Sequence, residues 1–408
     1  MIIAIFLVLA VFLVIDYILD KRFFSPIKIF NVVWLIVFGL YQMNLSYIQT
    51  DFTSQALTVF MVCIVGFDLA YLGYVIAHKK LRFCKKKEED RHLLFQKYNG
   101  KISVKSKLKI INIVFILLFA IEVLYSKNIP LISLFIGKSS NYTEFGIPSL
   151  NGLMYGVAIC VGAYYIYRKN PRALIYISFG LLIVSRQLLI AMIVETLVVF
   201  VCRRLIDSKN KITHLALKII VIVGVIVVGF TMLGNFRSGN DEMKNIFEPR
   251  SEYKNLPVAV MWTYSYTEFS FSNFNKLTKI MEGGKNYGAS TLNALLPTVL
   301  TRTLKIKENE KPYYLVRSNF TVSTWFPEIY LDFGVIGVLV FSILVGFLGA
   351  KLYRNVLANN CVENSLLYAM FVHNIAFFFF TNMFLYLPVI SQIVLIPLIF
   401  RGEDEEQK

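Results

Sequence analysis

Residues 335–350 read VIGVLVFSILVGFLGA and include no charged side chain. Two further apolar runs are Ile110–Ala120, which also has no charged side chain, and Lys218–Leu233, whose single charge is Lys218 at its start. These runs approach the roughly 17–25 residues that cross about 30 Å of hydrocarbon. In lipid each backbone N–H and C=O must be satisfied inside the segment, so spans are helices or closed barrels. Continuous Leu, Ile, Val and Phe, without a ten-residue alternation, exclude the barrel.

The composition extends this conclusion to the whole chain. Of 408 residues, 56% are hydrophobic and 17% are charged, whereas soluble domains carry about 25% charged residues. The mean hydropathy is +0.60. We therefore predict an all-α, polytopic integral membrane protein that forms a single membrane domain, residues 1–408. About eleven spans are expected, at 2–19, 29–47, 56–77, 110–125, 150–167, 173–185, 187–202, 218–234, 327–350, 365–382 and 386–400.

Lysine and arginine predict the orientation of these spans. With the N-terminus outside, the inner segments collect most basic residues, including twelve between Lys79 and Lys109. This asymmetry is the positive-inside signature, and it predicts a bacterial cytoplasmic membrane protein with a cytoplasmic C-terminus. The basic cytoplasmic loop 78–109 is expected to touch anionic lipid heads. The net charge of +16 is thus explained without nucleic acid as a partner.

One stretch, 173–201, is too long for a simple span. Its 29 residues, with Arg186 near the middle, would form a helix about 43 Å long. A single helix would turn the basic cluster Arg203–Lys218 outward, against the positive-inside rule. A hairpin with Arg186 at its outer turn is therefore predicted.

The longest polar region is the predicted extracytoplasmic loop 235–326. Its aromatic and apolar residues argue against disorder, and loops of this length are usually functional. Leu256–Phe274 and Leu292–Leu304 are expected to be interfacial helices that lie on the membrane. The arginine fork suits bidentate contact with phosphate; the alternatives are contacts with lipid phosphates or pairing with Glu248, Glu252 and Glu308. The loop arginines are Arg237, Arg250, Arg302 and Arg317.

Two carboxylates stand where this loop meets a late span. Glu328 and Asp332 are four residues apart, so they share one helix face. Carboxylates at membrane depth are costly and usually mark function, although both could simply sit in the interface. Nearby glycines are expected to allow close helix packing; they are Gly334, Gly337, Gly346 and Gly349.

Five short stretches resemble motifs of a known protein family. They are Ser185-Arg186, Asn235-Phe236-Arg237, Asn319-Phe320-Thr321, Tyr330–Gly337 and Gly346–Tyr353. In layout, about residues 110–400 resemble the bacterial O-antigen polymerase, or oligosaccharide repeat-unit polymerase, family (Wzy-type). The resemblance implies an enzyme on the outer face of the membrane. It would transfer a growing glycan from polyprenyl pyrophosphate onto another lipid-linked repeat unit, for O-antigen, capsule or exopolysaccharide.

The resemblance also implies partners and cofactors. The substrate is a polyprenyl-pyrophosphate-linked oligosaccharide in the lipid bilayer, and a chain-length regulator and a flippase are candidate partners. The leaving group is already activated, so no nucleotide sugar, cofactor or metal is expected.

Site roles follow from the same chemistry. A pyrophosphate leaving group needs cations where its charge grows, and Arg237 and Arg317 are assigned to this catalytic task. The attacking hydroxyl needs a general base; Glu328 or Asp332 fits by position, with Glu268 and His373 as weaker choices. Substrate binding is assigned to Arg186, Arg250, Arg302, Asn319, Tyr264, Tyr266 and Trp325. The aromatic residues among these would stack on sugars, or else form an aromatic belt.

The sequence also leaves three other functional classes of membrane protein open. An O-antigen ligase shares the plan and differs in its acceptor. A lipid-linked oligosaccharide flippase or other transporter would depend on intramembrane Glu122, Glu195 or Asp68, but no two-half repeat is evident. A non-catalytic component of a polysaccharide assembly complex is the last alternative.

Overall fold

The structure is a computed structural model that describes residues 1–22, 24–81, 103–136, 145–205, 240–296, 300, 314–318 and 320–403. Within these ranges the chain forms helices, turns and two isolated β-bridges, with no strand. The predicted span 218–234 and most of the predicted basic loop lie outside the described residues.

Fourteen α-helices occur in the described ranges. They are α1 Ile2–Leu19, α2 Pro26–Gln42, α3 Ser54–Leu81, α4 Val104–Ser126, α5 Pro130–Phe135, α6 Leu150–Tyr167, α7 Ala173–Leu182, α8 Arg186–Leu205, α9 Asn240–Phe247, α10 Val258–Ile280, α11 Ala289–Leu295, α12 Pro327–Ala358, α13 Val362–Ala376 and α14 Leu387–Phe400.

In the described part of the chain, five helices are long and apolar enough to cross a membrane. They are α1, α3 over Ser54–His78, α4, α6 and α12, and α2, α7 and α14 are shorter apolar helices. The chain is therefore an α-helical, membrane-embedded protein, as predicted. The total of eleven spans remains a prediction.

Close contact between α3 and α12 depends on glycine. A Cβ atom at Gly346 would lie 2.3 Å from the Phe67 carbonyl oxygen, and one at Gly66 would lie 3.2 Å from the Ser342 Cβ. Small residues of this kind let helix backbones approach where no hydrophobic driving force exists between helices in lipid. The packing role predicted for Gly346 is confirmed.

The helical hairpin predicted for 173–201 is confirmed. Helix α7 ends at Leu182, and Val184, with a φ of 56°, turns the chain into α8. A Cβ at Gly162 of α6 would meet both the Tyr176 Cβ, at 3.2 Å, and the Met192 sulfur, at 2.8 Å. Tyr176 and Met192 lie at similar distances along the chain on either side of the turn, so α7 and α8 run back alongside each other. Arg186 begins α8, next to this turn.

Helix α10 is more deeply buried in the protein than the sequence indicated. Leu256–Phe274 was expected to lie on the membrane, but α10 has fourteen buried residues out of 23. It packs against α2, α3 and α9. The aromatic residues of this stretch thus contact other helices of the protein, which the sequence did not indicate. Trp34 of α2, for example, stacks on Phe271 of α10. The position of the helix at the membrane surface stays a prediction.

One end of the helix bundle carries α9, the first half of α10, Arg186 and residues 314–318 and 320–326. We call it the arginine end. The opposite end carries the ion pairs Lys28–Asp16, at 3.0 Å, and Arg168–Glu403, at 2.9 Å. The candidate functional site described below lies at the arginine end.

Candidate functional site

Polar residues on α10 hold the connecting segments of the arginine end in place. The Tyr264 hydroxyl donates to Gln49 Oε1 at 2.6 Å and accepts from the Leu45 amide at 3.2 Å. The Asn273 side chain donates to the carbonyls of Phe320 and Val322, at 3.0 and 2.8 Å. Because buried amides and hydroxyls must be paired, these bonds attach the segments 43–53 and 320–326 to α10.

An aromatic group leads from α10 to Arg186. The Arg186 guanidinium lies 5.5 Å from the centre of the Trp262 ring, within the range of a cation–π contact. Trp262 stacks on Tyr266 at 6.4 Å. Tyr266 in turn lies 5.8 Å from Phe320 and 5.2 Å from Phe380. This arrangement brings the start of α8 to the same side of α10 as residues 314–320.

Two further arginines border the same region. Arg317 forms an ion pair with Glu248, and its side chain is 34% exposed. The Arg250 Nη2 donates to Asn44 Oδ1 at 2.9 Å, and its guanidinium lies 5.6 Å from the Tyr47 ring centre. The pairing of Arg317 with Glu248 is the alternative that the sequence left open. A partly exposed pair of this kind is weak, so it leaves the cation accessible to a stronger anion.

Glu268 is the most unusual carboxyl of the arginine end. It is fully buried, and neither of its oxygens has a hydrogen-bond partner of good geometry. Burial raises the pKa of Glu268 to about 8, while the Ser46 hydroxyl and the Arg317 charge lower it in part. A carboxyl that exchanges its proton near neutral pH suits general acid–base chemistry.

Asp332 has a structural task. Its two carboxylate oxygens accept from the backbone amides of Ser290, at 2.9 Å, and Thr291, at 2.6 Å. It therefore caps the first turn of α11, where backbone amides lack partners inside the helix. Both oxygens are already used, so we no longer assign Asp332 as the general base.

Glu328 keeps one buried oxygen, Oε2, without a hydrogen-bond partner. It lies in the first turn of α12, as predicted. It is therefore another carboxyl with an unpartnered oxygen, on a different helix from Glu268.

Two aromatic residues assigned to sugar binding are core residues. Trp325 is fully buried and stacks on Phe378 at 4.8 Å. Tyr264 is buried, and its hydroxyl is committed to the bonds with Leu45 and Gln49. We correct both assignments, because a sugar ring cannot reach the face of a side chain enclosed by protein. Tyr266 is only partly buried and remains a candidate.

The remaining predicted residues fall outside this group. Arg237, Arg302 and Asn319 lie outside the described residues. His373 lies 3.3 Å from Glu195 of α8, inside the bundle. Within the described ranges, no three His, Cys, Asp or Glu side chains come together as metal ligands would.

The sequence reading missed the segment 44–50. Ser46 pairs with Pro249 in an isolated bridge, and the Tyr47 amide donates to the Glu248 carbonyl at 3.0 Å. No local pattern in this segment indicates a site. The sequence does single out Glu268 as a candidate site residue, because it is the only acidic residue of α10.

Comparison with protein-family models, curated proteins and solved structures finds no match to this chain.

Proposed function

We propose that this chain is a membrane glycosyltransferase that polymerises polyprenyl-pyrophosphate-linked oligosaccharide repeat units into a surface polysaccharide. The observation that supports the proposal most is the gathering of Arg186, Arg250, Arg317 and Glu268 at one end of a membrane-embedded helix bundle. These residues are far apart in sequence, and α10 with its partners brings them together.

The proposed orientation has the arginine end and the N-terminus outside and the C-terminus in the cytoplasm. Lys28, Arg168 and Arg203 lie towards the opposite end of the bundle. That distribution agrees with the positive-inside rule. Repeat units carried to the outer leaflet would then meet the arginines directly.

The proposed chemistry is a direct displacement. A hydroxyl of the acceptor sugar attacks the anomeric carbon of the donor glycan, and the bond from that carbon to the pyrophosphate oxygen breaks. Glu268 takes the proton of the hydroxyl in its ionised form. Arg317 and Arg186 stabilise the negative charge that develops on the departing polyprenyl pyrophosphate. Because Glu268 is buried beside Ser46 and Arg317 in this conformation, we propose that residues 314–318, which carry Arg317, move away when substrate binds.

A ligase would use the same site with another acceptor. One observation favours a transporter as a second candidate, namely the buried Glu195–His373 pair, since ionisable side chains inside a membrane bundle often line a transport path.

The test uses cells that lack this chain and that are complemented with variants. The size profile of the lipid-linked glycan is measured for wild type, Arg317→Ala, Arg186→Ala and Glu268→Gln. Lys254→Ala is the matched control, because Lys254 is an exposed cation of the same region. The amount of each variant in the membrane is measured by immunoblot.

We expect the long glycan ladder to collapse to single repeat units on the outer face for the three site variants, and to persist for Lys254→Ala. Accumulation of single units on the inner leaflet would instead support the transporter. A ladder that persists without the chain would refute both candidates.

A further inference from the structure

A second site lies at the other end of α10. An open cleft of about 760 Å³ lies between the end of α10, the loop that follows it and the first turns of α12. Its polar lining includes Gln55, Lys279, Glu282, Lys285 and Tyr330, so two lysines face one carboxylate. Lys279 follows Glu268 by eleven residues on the same helix, which corresponds to about 16 Å along its axis. The cleft is thus separate from the arginine end.

The cleft exists because α12 is interrupted. Gly334 has a φ of 64° and a ψ of −155°, which lies outside the helical range. The carbonyl of Leu331 accepts from the backbone amides of Lys285, at 2.9 Å, and Asn286, at 3.1 Å. The loop after α10 therefore occupies helix carbonyls of α12 and holds the cleft in shape.

Gly283 makes this contact possible. A Cβ atom at Gly283 would lie 2.6 Å from the Tyr330 carbonyl oxygen and 2.9 Å from the Gly334 Cα. Both neighbours are backbone atoms, which cannot rotate away. The loop can lie against the interrupted turn only with glycine at this position, so the cleft is built into the fold.

The lining favours an anion. Lys279 is exposed and has no carboxylate partner among the residues that the structure describes. Lys285 pairs with Glu282 at 2.8 Å, but both side chains are largely exposed, so solvent and salt weaken this pair. The Gln55 amide donates to the Tyr330 hydroxyl at 3.4 Å, and this hydroxyl donates to the Met281 carbonyl at 3.5 Å. The second N–H of Gln55 is therefore the neutral donor that a ligand could use.

The position of the cleft also favours an apolar chain on the occupant. Gln55 belongs to the first turn of α3 and Tyr330 to the first turn of α12, and both helices are candidate membrane spans. Ile280, Phe333 and Ile336 beside the cleft are at least half exposed. Phe333 and Ile336 lie in the first turns of the span α12, and Ile280 ends α10 beside them. In a membrane-embedded protein, exposed apolar side chains at the start of a span face lipid, so the cleft opens at the boundary between water and bilayer.

We infer that this cleft binds the phosphate-bearing head of a polyprenyl-phosphate lipid, with Lys279 on the phosphate and the isoprenoid chain along Ile280, Phe333 and Ile336. Its role is the docking of the acceptor lipid, whose sugars would reach from the cleft to the arginine end while the donor's pyrophosphate lies against Arg317 and Arg186. This role rests on the proposed function. The binding itself is a property of the cleft.

The test measures lipid binding to the purified full-length chain in detergent by native mass spectrometry. The probes are undecaprenyl phosphate, phosphatidylglycerol and inorganic pyrophosphate, each at the same concentration. The variants are Lys279→Ala and Lys279→Gln, with Lys254→Ala as the matched exposed-lysine control. Lys279 is a surface residue, so these changes leave the packing intact. Gly283→Ala tests the shape of the cleft, and its folding is checked by size-exclusion chromatography.

We expect undecaprenyl phosphate to bind the wild type and the Lys254→Ala control alike, and to bind both Lys279 variants about tenfold more weakly, as for the loss of one charge-assisted hydrogen bond. Unchanged binding to the Lys279 variants overturns the inference. Equal binding of phosphatidylglycerol shows a general lipid contact and also overturns it. Equal binding of inorganic pyrophosphate overturns the part assigned to the apolar chain.

The two proposals fail separately. If the Arg317 and Glu268 variants lose the glycan ladder while Lys279→Ala keeps lipid binding, the inference fails and the proposed function stands. If undecaprenyl phosphate binding depends on Lys279 while cells without the chain keep their ladder, the proposed function fails and the lipid site stands.

Discussion

Glu268 and Glu195 are both fully buried carboxyls, yet their surroundings differ. Glu195 of α8 lies 3.3 Å from His373 of α13, and the Gln392 amide nitrogen of α14, suitably oriented, donates to both of its oxygens at 3.0 and 3.2 Å. Glu268 has no comparable partner. The Glu195 group thus ties three helices together, whereas Glu268 is held in an unfavourable environment close to Arg317.

This difference separates a structural polar cluster from a candidate reactive one. Burying a carboxyl without hydrogen bonds costs stability, and folds retain such a group where it has a use. The partners of Glu195 are supplied by neighbouring helices, so the polymerase proposal assigns it no further role, and the transporter candidate does. We therefore expect changes at Glu195 to act on stability and changes around Glu268 to act on activity.

The largest expected effect is on stability, from Glu195→Ala. The change leaves His373 buried without its carboxylate, and removal of one partner of a buried pair typically costs about 3–5 kcal/mol. Chemical denaturation of the detergent-solubilised protein measures the loss, and Glu195→Gln, which keeps the size of the side chain, should lose less. A normally stable Glu195→Ala variant that abolishes export of repeat units would favour the transporter.

Next is Arg317→Ala, which tests the arginine end directly. Loss of one donor that stabilises developing charge typically lowers a rate about 10²–10³-fold. Polymer formation from purified lipid-linked repeat units is the measurement, with Lys254→Ala as control. Arg317→Lys keeps the charge without the planar fork and should lie in between. A near-normal rate for Arg317→Ala would remove this residue from the proposed mechanism.

The pH dependence of the rate, compared between wild type and Glu268→Gln, tests whether Glu268 is the base. As a base, Glu268 must be ionised, so the wild-type rate should rise with pH towards a plateau above the pKa of about 8. Glu268→Gln should be slow at all pH values and lose this rise. A variant that keeps the wild-type pH profile would exclude Glu268 as the base and leave Glu328 as the remaining candidate.

The same group predicts the pH dependence of stability. Burial raises the folded-state pKa of Glu268 above its ordinary value of 4.5, to about 8. Below 4.5 both the folded and the unfolded states hold the proton, so there is no penalty. Between about 4.5 and 8 the unfolded state ionises first, so stability falls as pH rises, and above 8 it levels off. Melting curves should show this fall relative to Glu268→Gln. Parallel curves for the two proteins would contradict the raised pKa.

The smallest expected effect belongs to Asp332→Ala. Loss of a side chain that caps a helix typically costs about 0.5–2 kcal/mol. The change should lower the melting temperature slightly while the specific activity of the folded protein stays close to normal. A complete loss of activity without a change in stability would restore Asp332 as a candidate base.

Much of the architecture could be predicted from local sequence. The helices at residues 2–19 and 150–167 have the predicted bounds, because an apolar segment in lipid must satisfy its own backbone hydrogen bonds. The hairpin at 173–201 followed from charge asymmetry. The burial of α10 could not be predicted, since aromatic residues suit a membrane surface and a protein interior equally well.

The sequence alone determined that this chain is helical and embedded in a membrane, because both properties depend on the solvation of contiguous segments. Only the tertiary structure decided which carboxyl is paired. Asp332 is capped by amides about forty positions away, and the neighbours of Glu268 are Ser46 and Arg317. A carboxyl acquires its proton affinity from groups brought close by folding, and no local pattern records which groups those are.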